Sequence, residues 1–214
     1  MSVRDLLRDA FVKHQSGFVK TEPNEVWVSE LSTCQVKKQF DKEAEQRGEF
    51  NVFPLLRGVA LHKGLQALLT EFMGDKVKAV EYRVEKEVCG YKLKGSIDVL
   101  LSDNTVVEIK TVSRLSQPFY PEHVFQVLTY LHMLNAERGV ILYVLNNEVR
   151  EVVVLRDGNV ITDVGSSLVP VMTVNDDVLC RAISDFVAGK RVHPFNECSR
   201  CIYNQVCPFS ITRV

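Results

Sequence analysis

Apolar positions along this chain change spacing several times, and the changes mark its elements. Residues 2–15 carry the spacing of a short amphipathic helix, and Ser32 or Thr33 can cap a second one running to about Arg47. Pro54 suits the first turn of a third helix, which reaches about Met73 before Gly74-Asp75 ends it. Alternation then takes over. Residues 78–88 read as a strand, Gly90-Tyr91 as a turn and 91–101 as the returning strand. Helix returns over 121–137. A strand pair at 140–145 and 149–155 flanks Asn146-Asn147, a tight-turn dipeptide. A last helix spans 176–189, and the chain closes on an irregular segment bearing cysteines. Helices before and after a mixed sheet imply an α/β (α+β) fold rather than a repeating βαβ order.

The most chemically loaded stretch is GSIDVLLSDNTVVEIKTV, residues 95–112. Residues 96–101 and 105–112 are rich in Val, Ile, Leu and Thr, and Ser102-Asp103-Asn104 is turn chemistry, so the two runs form a hairpin. Side chains alternate along a strand, so Glu108 and Lys110 share one face while Val107 and Ile109 take the other. A three-residue loop sets Leu101 against Thr105 and Asp98 against Glu108, on one face. A two-residue loop would send the carboxylates to opposite faces. Two buried carboxylates cost several kcal/mol unless compensated, by order of magnitude. Mg²⁺ or Mn²⁺ with substrate phosphate would compensate them. Lys110 is then placed to orient water or to neutralise charge on a phosphoryl transition state. The competing reading is a solvent-facing strand with an ordinary Glu and Lys.

Two helical pairs accompany the hairpin. Gly58 and His62 stand four apart on one helix face, offering an imidazole beside a position with no side chain. Gln126 and Tyr130 form a second such pair after the hairpin and could contact phosphate or water. Ordinary packing or surface roles are open for both. Three of six cysteines cluster as Cys198-x2-Cys201-x5-Cys207. Without a secretory leader, metal or cluster ligation is favoured over disulfides. A fourth ligand could be Cys34, Cys89 or Cys180. Cys89 and Cys180 read as buried structural thiols, whereas Cys34 has Lys37 and Lys38 nearby to favour a thiolate. Four cysteines suit an iron-sulfur cluster, with structural zinc as the rival.

Composition narrows the picture only slightly. At 214 residues and 46% hydrophobic content the chain fits one sizeable core. No apolar run approaches the ~20 residues needed to span a bilayer, so a cytoplasmic address and no membrane association are expected. A net charge of −1 means that any nucleic acid must be met by a local basic surface, such as Arg57 and Lys63. Gly90 to Ser96 lacks the lysine of a phosphate loop, so no nucleotide cofactor is expected.

In order, Cys34, Gly58-x3-His62, Asp98, Glu108-x-Lys110, Gln126-x3-Tyr130 and Cys198-x2-Cys201-x5-Cys207 resemble the iron-sulfur branch of the RecB-like nucleases. Within that branch the chain is similar to the CRISPR-associated exonucleases (Cas4 family, PD-(D/E)XK superfamily). The resemblance implies a RecB-like, restriction-endonuclease-type core in one domain over 1–214. Residues 1–50 and 190–214 would form its helical and iron-sulfur subregion. It implies divalent metal on His62, Asp98, Glu108 and the Ile109 carbonyl, with Lys110 catalytic and Gln126 and Tyr130 lining the site. Cys34, Cys198, Cys201 and Cys207 would hold a cluster, [4Fe-4S] or [2Fe-2S], more structural than redox. The implied activity is metal-dependent trimming of DNA ends, on single strands or overhangs and 5′ to 3′, during capture of CRISPR spacers, with integrase and adaptation proteins as partners. Stacking of bases on Phe119, Tyr120 and Tyr203 is a further expectation. The alternatives are a non-catalytic DNA-binding adaptor of the integration complex and a zinc-stabilised repair nuclease.

Overall fold

The alternating run of residues 77–101 folds as the two longest strands, and the rest of the architecture is assembled on the second of them. The computed structural model describes residues 2, 3, 6, 22–46, 53–163 and 165–212. Along this span run β1 (Glu25–Trp27), α1 (Val28–Leu31), α2 (Gln35–Gln46) and α3 (Phe53–Met73). A hairpin of β2 (Val77–Val88) and β3 (Tyr91–Leu101) follows, then β4 (Val106–Thr111), α4 (Pro121–Leu134), β5 (Arg138–Val144) and β6 (Val149–Leu155). β7 (Asn159–Thr162), β8 (Gly165–Pro170) and α5 (Asp176–Val187) complete the set, with short 3₁₀ turns at Gly74–Lys76 and Glu197–Arg200.

The eight strands of the described residues belong to one mixed sheet in the order β1-β3-β4-β5-β6-β7-β8, with β2 on the other side of β3. β1 with β3 and β4 with β5 are parallel, and every other pair is antiparallel. The parallel β4–β5 step needs a crossover, which α4 supplies. The larger core lies between the sheet and α1, α4 and α5, and contains Leu93, Ile97, Val106, Leu128, Ile141 and Leu179. A smaller core of Val99, Val107, Ile109 and Val140 packs with Leu65 and Leu69 of α3.

One feature of β3 positions everything that follows. β2 pairs along the whole of one edge, while the other edge changes partner: β1 holds Lys92 to Lys94, and β4 holds Val99 and Leu100. Residues 95–98 therefore face no strand on that edge. Buried backbone groups left without a ladder must find side-chain partners.

Several elements depart from the reading of the sequence. The helix expected at 2–15 lies outside the described residues apart from 2, 3 and 6, as does Arg47. Ser32 and Thr33 do not cap α2. Both hydroxyls donate back to the Ser29 carbonyl and close α1 instead. α4 stops at Leu134 because Asn135 takes the left-handed conformation (φ 54°) and Ala136 N–H returns to the Leu131 carbonyl. The expected pairing of Leu101 with Thr105 is present, with Asn104 in the left-handed turn position. Cys89 and Cys180 are not buried thiols: Cys89 is exposed at the β2–β3 turn, and the two form a disulfide joining that turn to α5.

Candidate active site

Asp98 and Glu108 meet as the three-residue loop requires. Val99 faces Val107 and Leu100 faces Val106, a register that carries Asp98 to Glu108. Beyond Val99 the ladder is replaced by chemistry. Asp98 Oδ2 accepts the Ile109 N–H at 2.6 Å, so the carboxylate takes the place of a strand partner. The Ser96 carbonyl accepts the Tyr130 hydroxyl at 3.0 Å across the same unpaired edge. On the opposite edge Glu81 adopts φ 50° between regular pairs, and Gln66 of α3 bridges its carboxylate (2.9 Å) and the Asp98 carbonyl (3.0 Å).

Around this pair the expected residues converge. His62 Nε2 lies 2.8 Å from Asp98 Oδ2, yet off the direction of a hydrogen bond, so among the described residues the buried nitrogen has no hydrogen-bond partner. Glu108, only 3% exposed, accepts Lys110 Nζ and Gln126 Nε2 at its Oε1, both at 2.8 Å. Its Oε2 is likewise buried and without a partner among the described residues. Gln126 turns its carbonyl oxygen to Lys110 Nζ (2.7 Å) and its amide also to the Tyr130 hydroxyl (3.2 Å). Gln126 and Tyr130 thus fix the lysine and close the broken edge of β3 together.

Burial and then the Asp98 charge push the Glu108 carboxyl up to about 7, against the pull of Lys110 and His62. Burial by itself would lower the His62 pKa, but Asp98, Glu108 and Glu81 outweigh it and the net shift is upward. The buried Glu108 carboxylate with an unpartnered Oε2, and His62 Nε2 set against Asp98 without a hydrogen bond, fit a nearby divalent cation. His62 Nε2, Asp98 and Glu108 would hold it. Glu81 is the residue the sequence reading missed: one ligand atom each from His62, Glu81 and Asp98 lie within 4.8 Å of one another, a group in which Glu81 stands where Glu108 was expected. Its signal was faint, a charged residue in a strand full of them, and only the left-handed backbone at that point turns it toward the site.

Two clefts meet at Lys110. One, of about 830 Å³, is lined by Phe53, Arg57, Gly58, His62, Ile109 and Ser113 among others. The second, of about 310 Å³, runs from Lys110 and Gln126 past Thr33 and Lys37 to Cys34 and Cys201. Arg57 is exposed in the first cleft and Lys63 is exposed on α3. Of the aromatics expected to stack bases, Tyr120 is buried (7% exposed), Phe119 packs against the larger core, and Tyr203 stacks on Phe40 (5.0 Å) and donates to Asp41. Their rings are spent on internal packing, which their sequence positions did not show.

Cys34, Cys198, Cys201 and Cys207 line one further pocket, and none of them is in a disulfide. Two segments far apart in sequence meet there: Gln35 and Arg191 exchange backbone and side-chain hydrogen bonds, and the His193 N–H points at Cys34 Sγ (3.3 Å). Four thiols on one small cavity fit a cysteine-held metal group.

Residues 59–153, from α3 to β6, match the family model of the PD-(D/E)XK nuclease superfamily. The carboxylate–lysine hairpin lies within this span, and the matched region is that of a nuclease. The chain is 26% identical over 216 residues to the CRISPR-associated exonuclease Cas4 of Saccharolobus solfataricus, covering 97% of this chain and 98% of that one. The crystal structure of SSO0001 shares its fold, with TM-score 0.75, 22% identity and 99% of each chain covered. Residues 59–153 thus carry a PD-(D/E)XK nuclease core, and the chain is similar over nearly its whole length to a Cas4 exonuclease. Among the described residues no helix is long and apolar enough to cross a membrane.

Proposed function

We propose that the chain is a metal-dependent exonuclease that trims DNA ends, single strands or overhangs in the 5′ to 3′ direction, for the capture of CRISPR spacers. Its partners would be the integrase and other adaptation proteins, and its compartment the cytoplasm. The observation that carries this reading is Lys110 held between Glu108 and Gln126, with His62 set against Asp98 and Glu108 Oε2 left without a hydrogen-bond partner among the described residues. The curated relative is named for exonuclease activity and CRISPR association, which supports the choice of substrate and pathway.

A bound Mg²⁺ or Mn²⁺ would supply charge neutralisation at the phosphate and a more acidic water. In the hydrolysis, water oxygen adds to phosphorus, one phosphorus–oxygen ester bond breaks, and the departing oxygen gains a proton. Lys110 Nζ is aimed by its two acceptors and stabilises negative charge on the phosphoryl oxygens as it develops. Gln126 keeps the ammonium from collapsing onto Glu108 alone. Tyr130, whose hydroxyl burial holds well above its ordinary pKa, stays neutral and serves as a fixed donor to Ser96. Arg57, exposed in the larger cleft, would meet the incoming backbone.

The four cysteines would hold an iron-sulfur cluster that organises the segments on either side of the second cleft. The whole chain would act as one nuclease domain, with the cysteine-bearing ends as its subregion. The test is direct: labelled single strands with Mn²⁺ should be shortened by the wild type, and Lys110→Ala should abolish this while keeping fold and iron content. Full activity of Lys110→Ala would sink the proposal. Visible absorbance near 400 nm, as expected of Cys-ligated iron, distinguishes a cluster from zinc.

A further inference from the structure

Arg200 stands between Cys198 and Cys201, yet its side chain leaves the cysteine loop altogether. Its guanidinium pairs with Glu122 in the first turn of α4 and lies over the Tyr120 ring, 4.1 Å from the centroid. Glu122 is poorly placed to do without it. Its Oε2 is buried and has no hydrogen-bond partner among the described residues, so loss of the guanidinium strands a buried charge.

From these two contacts two routes lead towards Lys110. One follows α4: Gln126 is one turn beyond Glu122, and its carbonyl oxygen holds Lys110 Nζ at 2.7 Å. The other crosses the sheet. Tyr120 caps α4 and donates its N–H to the Tyr143 hydroxyl at 3.0 Å, which also lies 3.0 Å from His123 Nδ1. Tyr143 stands directly opposite Lys110 in the β4–β5 pairing. Burial, with the nearby Lys110 and Arg200 charges, keeps His123 well below its ordinary pKa, so a neutral ring completes this network. Arg200 also lines the same cleft as Lys110 and Gln126.

We propose that Arg200 is a positioning residue for Lys110: through Glu122 and Tyr120 the cysteine loop sets the first turn of α4, and thereby the Gln126–Lys110 bond. The kinetic consequence rests on the nuclease reading above, whereas the positioning itself does not. This gives a hydrolytic enzyme a use for a cysteine-held group that moves no electrons in its reaction.

The experiment compares wild type with Arg200→Gln, Arg200→Lys and Glu122→Gln. Acetic anhydride labelling, resolved by lysine with mass spectrometry, reads the freedom of Lys110, and iron content and Mn²⁺-dependent cleavage are measured alongside. Arg200→Gln and Glu122→Gln should label Lys110 about threefold faster or more, with other lysines and iron unchanged. They should lower kcat roughly 10- to 100-fold with KM within about twofold, and Arg200→Lys should fall between. In a Gln126→Ala background Arg200→Gln should lose most of its effect. Unchanged Lys110 labelling, a KM-only effect, or an undiminished loss in the Gln126→Ala background each overturns the inference. Should Arg200→Gln fail to fold, Arg200→Lys and Glu122→Gln are read by the same criteria. A wild type that cleaves nothing defeats the nuclease reading alone, and the labelling still decides the role of Arg200.

Discussion

Glu108 couples proton, metal and fold in a way that can be measured. Its carboxyl rises from 4.5 to about 7 because it is fully buried and faces Asp98. A raised folded-state value means that the folded protein holds the proton more tightly than the unfolded chain. The associated stability is fully present below about pH 4.5 and is lost as pH rises through 7. Over the whole window that amounts to something on the order of 3 kcal/mol, and about 1 kcal/mol of it falls between pH 6 and 8. A divalent cation competes for the same oxygens. Mn²⁺ binding should therefore tighten about tenfold from pH 6 to pH 8 through Glu108 alone, and His62, also shifted upward, acts in the same direction. Calorimetric titration of Mn²⁺ at the two pH values, with thermal unfolding in parallel, measures both effects. The Tm gain on adding Mn²⁺ should be larger at pH 8. Equal dissociation constants at pH 6 and 8 would refute the argument, as would a Glu108→Gln variant with wild-type affinity.

Other expectations follow from contacts elsewhere in the site and the fold. A Cβ added at Gly95 would sit 2.4 Å from Tyr130 Cε1 and 3.2 Å from Val84 Cγ2, so Gly95→Ala must displace the ring. Urea unfolding should show a loss of about 1–3 kcal/mol, with weakened cleavage, and unchanged stability would contradict this. Glu81→Ala removes the acceptor of Gln66 and Ser96 from beside His62 and Asp98. It should weaken Mn²⁺ binding about tenfold or more by titration. Cys180→Ala opens a crosslink between residues 91 apart in sequence. The oxidised wild type should exceed it by about 2–4 kcal/mol, a gap that a reductant closes.

Much of this site could be read before any coordinates, for a definite reason. A one-residue slip inverts a strand, so requiring Asp98 and Glu108 on one face selected the three-residue loop, and the register agrees. His62 and the Gln126–Tyr130 pair stood out because residues four apart share a helix face. What escaped depended on long-range geometry. Glu81 enters through a left-handed residue in a long strand, and no local pattern announces that. Cys89 and Cys180 looked like separate buried thiols, since nothing in either neighbourhood shows a turn lying against a distant helix. β7 and β8 are short strands whose pairing arises only when β6 offers an edge. Tyr120 and Tyr203 carry the composition of base-stacking residues, but Arg200 and Phe40 cover their rings.

The exchange of partners along β3 decides which inactive variants can be trusted. Asp98 and Tyr130 stand in for a missing strand, one accepting the Ile109 N–H and the other donating to the Ser96 carbonyl. Removing either should therefore loosen the sheet as well as silence the chemistry, and a crippled fold would masquerade as a lost catalyst. Among the described residues the Lys110 ammonium bonds to the side chains of Glu108 and Gln126 and to no backbone group. For trapping a DNA end on an intact but uncutting protein, the lysine is the position to change.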